Sequence, residues 1–357
     1  MKHQNALKLI ALLLTVLLAA ACFGCTAKTE APAQEPAKAD DAAAPAEGEK
    51  TYRVAYVADS GLDEYQWLAD TVKDLQAWAD ATPYISEIKF VEATDAASYE
   101  PTSRARCEDG FNVIMTSFSS HADATSKLCQ EYPDIFFGIL DAGFTAEDIA
   151  QYPNMMELGI ERGYNSFIAG VVAASMSKTG TVGFIGGADI NAVNWILAAW
   201  QQGLRYVNPD ITDYVVYSNT WSDPTMGKEF ANSLIEKGCD VLAASSGGTE
   251  VGICQACAEH NVYYCAYDVH YYDYLNGLEL GSARSDIAKM VELFYDSAID
   301  GTFPAGQIKY YGYEYGTVYF EFAQDTPVPD DVKKVVEEVS AKILSGEIVI
   351  GKEPLHK

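Results

Sequence analysis

The chain has 357 residues, of which 24 are Lys or Arg and 51 are Asp or Glu, so its formal net charge is −27. A surface this acidic repels nucleic acid, which is therefore excluded as an expected partner. The roughly 300 residues that follow the first fifty are enough for two lobes of ordinary domain size.

The first 21 residues have the features of a secretory signal. Two lysines precede a continuous apolar run, and this run is too short to span a membrane as a mature helix. The residues before Cys22 resemble a lipobox, in which the cysteine becomes the first mature residue and carries lipid. Cys25 is the alternative lipidation site, and an ordinary secretory peptide without lipid is the other interpretation.

Residues 22–50 have the composition of a flexible tether. They are rich in Ala, Pro, Glu and Lys, and such a segment buries too little apolar surface to offset the entropy of ordering. The several acyl chains of a bacterial lipoprotein would hold the tether stably at a membrane. We therefore expect a lipid-anchored protein on the extracytoplasmic face of the cell membrane.

Short apolar strands alternate with helical segments after residue 50, which is typical of an α/β fold with parallel sheets. The predicted strands are residues 52–58, 88–91, 111–115, 135–140, 155–160, 181–185, 213–218, 241–244, 262–267 and 278–283. No glycines with dinucleotide-binding spacing open the helix between 160 and 181. Two sheets of this kind leave a cleft between their strand ends, where we expect a small ligand.

Six cysteines follow the tether, namely Cys107, Cys129, Cys239, Cys254, Cys257 and Cys265. Cys254 and Cys257 have C-x-x-C spacing, but no second pair or well-spaced histidine completes a metal site. On a helix they would share one face and act as small buried hydrophobes. Buried thiols are the first interpretation, a disulfide the second and a metal site the last; no metal or cofactor is predicted.

The run from Glu161 to Gly187 resembles the signature of the basic membrane protein family, the purine-nucleoside-receptor-like substrate-binding lipoproteins of ABC importers. Further matches follow in the family's order at residues 218–224, 227–228, 238–241, 247–249, 266–268 and 327–348. Together they cover nearly all of residues 51–350.

The resemblance implies a type I periplasmic-binding-protein fold, in which two doubly wound parallel-sheet lobes are joined by a three-segment hinge. The first lobe would contain residues 51–160 and about 285–312, and the second would contain 161–284 and about 313–350. It also implies that a nucleoside binds between the lobes and is delivered to the permease and ATPase subunits of an ABC importer.

The resemblance assigns ligand-binding roles in the second lobe. Trp221 stands where the family has a cleft Phe, and its indole would stack on a purine base. Asp268 matches the carboxylate that accepts hydrogen bonds from ribose hydroxyls. Gly247 or Gly248 matches a backbone that approaches the ligand closely, which the absence of a Cβ permits.

Two candidates in the first lobe follow from the same resemblance. Asp63 matches the carboxylate of a family loop whose neighbouring Asn and Phe are replaced here, and Trp67 or Tyr65 is expected to compensate. Asp123, which follows the third strand, is the candidate for the base-binding acid.

The sequence departs from the family where a lysine is expected near the ribose, because Ser285 occupies that position. Arg284 is adjacent and is the remaining cationic candidate, although neighbouring side chains alternate in direction along a strand. The tyrosine-rich segment 263–274 either adds aromatic rings to this rim or forms strand core and an exposed loop. These departures leave room for a modified nucleoside or another small polar ligand.

Three classes of function are compared. The leading hypothesis is a solute receptor that closes like a hinge on its ligand. An enzyme acting on a similar ligand is disfavoured because the sequence lacks Gly-x-Ser-x-Gly, HExxH and P-loop motifs, and no catalytic residue is predicted. A ligand sensor without transport would share the sequence features of the receptor.

Overall fold

The computed structural model describes residues 51–357, in which twelve strands alternate with eleven α-helices. The strands are β1 Tyr52–Ala58, β2 Ile85–Glu92, β3 Val113–Ser117, β4 Phe136–Leu140, β5 Met155–Ile160, β6 Thr181–Gly186, β7 Thr212–Tyr217, β8 Val241–Ser245, β9 Tyr263–Tyr267, β10 Glu279–Ser285, β11 Ile308–Tyr311 and β12 Val318–Phe322. The helices are α1 Gln66–Ala81, α2 Ala96–Glu108, α3 Ala122–Glu131, α4 Ala146–Ile149, α5 Gly163–Met176, α6 Asn191–Val207, α7 Pro224–Glu236, α8 Glu250–His260, α9 Tyr272–Leu275, α10 Ile287–Asp300 and α11 Asp330–Leu344.

The predicted signal, the tether and both candidate lipidation sites, Cys22 and Cys25, lie outside the described residues. Within residues 51–357, none of the helices combines the length and the apolar character that a membrane span requires.

The strands form two six-stranded sheets. The first has the order β11-β5-β4-β3-β1-β2 with every pair parallel. The second repeats this order as β12-β10-β9-β8-β6-β7 and is parallel except at its β12 edge. We call the two sheets with their helices the first lobe and the second lobe. The predicted α/β class with two parallel sheets is confirmed.

The chain passes between the sheets three times, after β5, after β10 and between β11 and β12. The three crossing segments are hydrogen-bonded to one another through their backbones. The Glu161 N–H donates to the Tyr311 carbonyl at 2.9 Å, and the Asp286 N–H donates to the Thr317 carbonyl at 2.7 Å. The lobes are therefore joined by three segments, of which the first and the second are each bonded to the third, rather than by a single linker.

Helix α2 was not predicted, because it contains Pro101 and has little amphipathic character. Its start is nevertheless well defined, since the Asp95 carboxylate accepts hydrogen bonds from the N–H groups of Ala97 and Ser98 at 2.9 and 3.1 Å. This cap satisfies donors that the first helical turn leaves without partners.

Helices α5 and α6 cross in direct backbone contact at two glycines. A Cβ on Gly170 would lie 2.2 Å from the Trp200 carbonyl oxygen, and one on Gly203 would lie 2.0 Å from that of Phe167. The contact buries the Trp200 indole completely, with its ring 5.5 Å from that of Phe184. The absence of a side chain at these two positions thus allows α5 to lie close to α6.

All six cysteines of the described residues are buried free thiols. Cys254 and Cys257 lie on α8 in the apolar cluster that contains Leu242 and Tyr264. The interpretation of these cysteines as small buried hydrophobes is confirmed.

Substitution of Gly203 by Ala should destabilise the protein by about 1–3 kcal/mol, because the new Cβ must push α5 away from α6. Urea unfolding at equilibrium measures the change. Gly351→Ala is the matched control, since its Cβ would meet no atom closer than 3.6 Å. Equal unfolding midpoints for Gly203→Ala and wild type would contradict the close crossing.

Candidate ligand-binding cleft

Each sheet has one point where the strand order reverses, between β1 and β3 in the first lobe and between β6 and β8 in the second. Ligands of open α/β sheets bind outside the carboxyl ends of the strands at such a point. The loops that follow these strands are therefore where site residues are expected.

Backbone strain marks the same edges of the sheets. Among the described non-glycine residues, those with positive φ near a strand end are Phe118 (58°), Asp141 (48°), Asn219 (53°) and Asp268 (59°). They follow β3, β4, β7 and β9 within two residues, whereas Asn261 and Asn276 have positive φ at helix ends. Such backbone is unfavourable for a residue with a Cβ, and it clusters at functional sites.

Trp221 lies at the reversal point of the second lobe. Its side chain is 40% exposed although it is a large aromatic residue. The indole lies so close to Gly187, which follows β6, that a Cβ there would be 2.5 Å from Cζ3. On the other side, the Trp221 backbone contacts the turn at Gly247 and Gly248, where a Cβ would be 3.0 and 3.4 Å from the Trp221 oxygen. The structure thus brings three sequence-predicted residues together.

A buried carboxylate, which the sequence did not reveal, supports the glycine turn through a hydrogen bond to the neighbouring backbone. Glu250 is 3% exposed, and it accepts hydrogen bonds from the Ser246 N–H at 2.8 Å and the Tyr264 hydroxyl at 2.6 Å. Burial raises the pKa of Glu250 to about 8, although these two hydrogen bonds act to lower it. Its position in the first turn of a helix after Gly-Gly-Thr is the one sequence signal that indicates this role.

Asp268 lies at the end of β9, tied to β10 by a hydrogen bond from its N–H to the Ala283 carbonyl at 3.0 Å. Its side chain is accessible to solvent, although protein surrounds it on several sides. This surrounding protein raises the pKa of Asp268, and the charges of Arg162 and Arg284 together with hydrogen bonds from Ser285 oppose the rise. Asp268 is therefore an accessible acceptor with cations close by.

Arg162 was not among the sequence-predicted candidates. It stands in the first crossing segment, immediately before α5, and its Nη2 lies 2.9 Å from Oδ2 of Asp141 at the end of β4. Both side chains are mostly buried, at 15% and 21% exposure. Nothing in the local spacing of the sequence indicates this ion pair, because its two partners belong to different elements.

The structure places Arg284 and Ser285 on opposite faces of β10, as the alternation of strand side chains requires. Ser285 lies close enough to Asp268 to lower the pKa of that carboxyl through hydrogen bonding. Arg284 instead shares its face with Glu321 of β12, whose Oε2 lies 3.9 Å from the Arg284 Nε. A direct contact between Arg284 and a ligand remains a prediction.

Beside Glu321, His270 joins two carboxylates from neighbouring strands. Its Nε2 lies 3.1 Å from Glu321, and its Nδ1 contacts Glu279, whose side chain is fully buried. The His270 ring stacks on Tyr272, with ring centroids 4.6 Å apart. Glu279 also accepts a hydrogen bond from the Tyr271 N–H at 2.7 Å.

The tyrosine-rich segment divides between core and loop. Tyr264 and Tyr267 are buried, whereas Tyr274 is 40% exposed. This supports its interpretation as strand core plus loop tyrosines.

The reversal point of the first lobe is polar. The Ser120 hydroxyl donates to Asp59, which follows β1, at 2.9 Å, and burial raises the pKa of Asp59 despite this hydrogen bond. His121 is fully buried and accepts a hydrogen bond from the Ser117 N–H at 3.1 Å. Burial lowers the pKa of His121 to about 4, so that its imidazole is neutral at pH 7.

The three candidates of the first lobe lie in different surroundings. Trp67 packs edge-on against Phe118, with ring centroids 5.9 Å apart, at the strained turn after β3. Asp63 is exposed in the loop before α1. Asp123 is exposed in the first turn of α3 and lines a hollow that also contains Phe144 and Tyr152. Their roles in binding remain predictions.

Two parallel-sheet lobes joined by three crossing segments, with polar and aromatic residues at both reversal points, form the architecture of the type I periplasmic-binding-protein fold. Solved structures support this fold at low identity. An ABC transporter solute-binding protein from Conexibacter woesei matches with a TM-score of 0.70 and 21% identity over 85% of this chain and 99% of that one. A solute-binding protein from Aeropyrum pernix matches with a TM-score of 0.70 and 20% identity over 85% and 94%. The predicted type I fold is confirmed.

The model of the family described as ABC transporter substrate-binding protein PnrA-like matches residues 52–353, and the chain belongs to this family. A purine-binding protein of Brucella abortus is 27% identical over 87% of this chain and 86% of its own. Basic membrane protein A1 of Borrelia garinii is 25% identical over 68% and 72%. Members of the family are substrate-binding proteins, so the chain is a binding protein and not an enzyme.

His270 should make the stability of the protein depend on pH. Burial lowers the pKa of His270, but the two carboxylates outweigh burial and raise the pKa above its usual value. An unfolded histidine has a pKa of about 6.5. The stabilisation is therefore complete below pH 6.5 and is lost as the pH rises through the higher folded-state pKa.

Urea unfolding of wild type and His270→Gln between pH 5.5 and 9 measures this contribution. The difference in unfolding free energy should be largest at low pH and should shrink above about pH 6.5. His260→Gln, at an exposed position at the end of α8, is the matched control. A difference for His270→Gln that stays constant with pH would refute the ionised cluster.

Proposed function

We propose that the chain is a lipid-anchored receptor of an ABC importer that binds a purine nucleoside between its lobes and delivers it to the permease. The family membership supports the class of transport receptor. The Brucella relative is named a purine-binding protein, which supports the class of ligand.

One observation carries the nucleoside proposal, namely the partly exposed indole of Trp221 at the reversal point of the second lobe. Gly187 on one side and the Gly247–Gly248 turn on the other fix the position of this residue. A flat, exposed aromatic face with a rigid backbone behind it suits a planar base, and stacking on such a face is worth about 1–3 kcal/mol.

Asp268 supplies the group for the sugar. Its accessible carboxylate is an acceptor, and the two hydroxyls of a ribose are donors, so that their hydrogen bonds would be charge-assisted. Asp59 and Asp63 add negative charge near the ends of the strands of the first lobe. A phosphate would be repelled by these groups, so the proposed ligand is a nucleoside and not a nucleotide.

Isothermal titration of residues 51–357 with inosine, guanosine and adenosine should show binding, whereas the corresponding 5′-monophosphates should bind at least about tenfold more weakly. Trp221→Ala should weaken nucleoside binding by about 10- to 100-fold, through loss of the stacking surface. Asp268→Asn should weaken binding of the nucleoside more than binding of the free base, because it removes an acceptor for the sugar.

Tyr206→Ala is the matched control for Trp221→Ala. Tyr206 has a similar exposure of 42%, but it lies at the end of α6 that points away from the strand ends. The Tyr206→Ala substitution should therefore leave the affinity for the nucleoside unchanged. If no purine nucleoside binds the wild type, the nucleoside proposal fails while the family assignment stands.

The anchor is tested on the full-length chain in a bacterial host. If Cys22 carries the lipid, Cys22→Ala should release the protein from the membrane fraction, and labelling with a radioactive fatty acid should disappear. Cys25→Ala serves as the matched variant and should keep both membrane association and label. The reverse pattern would assign the lipid to Cys25, and a wild-type chain that takes up no label would show that the proposed anchor is absent.

A further inference from the structure

Glu250 is a buried acidic side chain at the start of α8 that the proposed function has not yet used. Its Oε1 accepts a hydrogen bond from the Ser246 N–H, just after β8, and its Oε2 lies 2.6 Å from the Tyr264 hydroxyl of β9. Both of these partners are uncharged. A carboxyl group buried with uncharged partners lowers the stability of a protein, so its presence points to a role beyond packing.

Residues 245–249, which we call the support turn, lie between Glu250 and the surroundings of Trp221. At the start of the turn, the Ser245 carbonyl accepts a hydrogen bond at 2.8 Å from the N–H of Gly187, the residue against which the indole packs. In the middle, a Cβ on Gly247 would lie 3.0 Å from the Trp221 carbonyl oxygen. The turn therefore contacts the backbone of Trp221 and the residue behind its ring.

The end of the support turn is hydrogen-bonded to both sides of Trp221 along the chain. The Thr249 hydroxyl, which is fully buried, accepts a hydrogen bond from the Asp223 N–H at 3.1 Å. The same hydroxyl donates to the Thr220 carbonyl at 3.3 Å. One side chain of the turn thus holds the residues on either side of the loop that carries the indole.

The helices that follow the two loops touch backbone to backbone where they begin. A Cβ on Gly227 of α7 would lie 2.2 Å from the Thr249 carbonyl oxygen, and one on Gly252 of α8 would lie 1.7 Å from that of Pro224. Because no side chain separates the two backbones, a displacement of the start of α8 must also displace the start of α7. The loop with Trp221 leads directly into α7.

We propose that Glu250 is a positioning residue for the aromatic face of the cleft, because its contacts with Ser246 and Tyr264 fix the support turn and the turn fixes the Trp221 indole where a base can stack on it. This inference rests on the proposed function for the identity of the ligand. The effect of Glu250 on the position of Trp221 needs no ligand and is tested separately.

A carboxyl group suits this position because it can join two partners that belong to different elements. Tyr264 is fully buried on β9, so its hydroxyl is a fixed point of the sheet. With a pKa of about 8, Glu250 is mostly protonated at pH 7, and a protonated carboxyl has one O–H donor besides its acceptor sites. A glutamine also has an acceptor and a donor, so it could bond the Ser246 N–H and the Tyr264 oxygen.

Fluorine NMR of the ligand-free protein tests the effect on Trp221. The chain has five tryptophans, and in 5-fluorotryptophan-labelled protein the signal of Trp221 is the one that Trp221→Phe removes. Glu250→Ala should shift or broaden this signal, because the turn beside the indole loses its support. The other four signals should stay in place. Glu250→Gln should restore the Trp221 signal to its wild-type position.

Asp240→Ala is the matched control. Asp240 lies just before β8, at the opposite end of the strand from the support turn, and it also holds a loop through hydrogen bonds. Its carboxylate accepts the Ser177 hydroxyl at 2.6 Å and the N–H groups of Lys178 and Thr179 at 2.6 and 2.9 Å. Asp240→Ala should leave the Trp221 signal unchanged.

Tyr264→Phe is a second variant that keeps the proposal testable if Glu250→Ala does not fold. It removes one of the two hydrogen-bond partners of Glu250 and leaves the carboxyl in place. A smaller displacement of the Trp221 signal is expected. Circular dichroism and urea unfolding establish that each variant is folded under the conditions of the NMR measurement.

Titration calorimetry with inosine measures the consequence for binding. Glu250→Ala should weaken the affinity by about 3- to 10-fold, which is the effect of losing one net hydrogen bond that orders the site. Glu250→Gln should recover most of the affinity, and Asp240→Ala should bind like wild type.

The outcomes separate this inference from the proposed function. If wild type binds no nucleoside but Glu250→Ala displaces the Trp221 signal, the nucleoside proposal fails and the positioning role stands. If a folded Glu250→Ala leaves the Trp221 signal in place, or binds inosine as tightly as wild type does, the role of Glu250 is overturned. An equal displacement of the signal in Asp240→Ala would overturn it as well, since the effect would then be general.

Discussion

The close crossing of α5 and α6 is the packing constraint on which the second lobe depends. At Gly170 and Gly203 the two helices touch backbone to backbone, and Trp200 fills the space beside them. Helix α5 begins at the hinge, and α6 begins shortly after Gly187, against which the exposed indole lies. One interface therefore sets both where the chain leaves the first lobe and where the aromatic face of the cleft stands.

Most of the fold could be predicted from the sequence because buried parallel strands are short continuous apolar runs separated by helices. The strands Tyr52–Ala58 and Met155–Ile160 have the predicted bounds. The edge strands β11 and β12 were missed, since they are half-exposed and lack such runs. Helix α2 was missed because the sequence signals it only by the capping residue Asp95 and lacks a periodic apolar face.

The candidate site was predictable only where a local motif carries the information. The glycine turn and Trp221 belong to recognisable motifs, and the structure places them together. Arg162 with Asp141, and Glu250 under Ser246, depend on contacts between separate elements that no spacing encodes. The direction of the Arg284 side chain depended on where β10 ends. Had the strand ended one or two residues earlier, the alternation of side chains along a strand would not have determined this direction. The sequence gives the type of each side chain directly, whereas the partner of that side chain depends on how distant segments pack together.

The six buried thiols have a consequence for how such a protein can exist outside the cytoplasm. Burial raises the pKa of Cys107, Cys129 and Cys239 to about 12, and raises the pKa of the other three further still. Since the thiolate is the species that reacts with oxidants and disulfides, the buried thiols of the folded protein react slowly in an oxidising compartment. The thiols of the unfolded chain lack this protection. After secretion, folding must therefore bury the cysteines before oxidation joins any two of them in a disulfide.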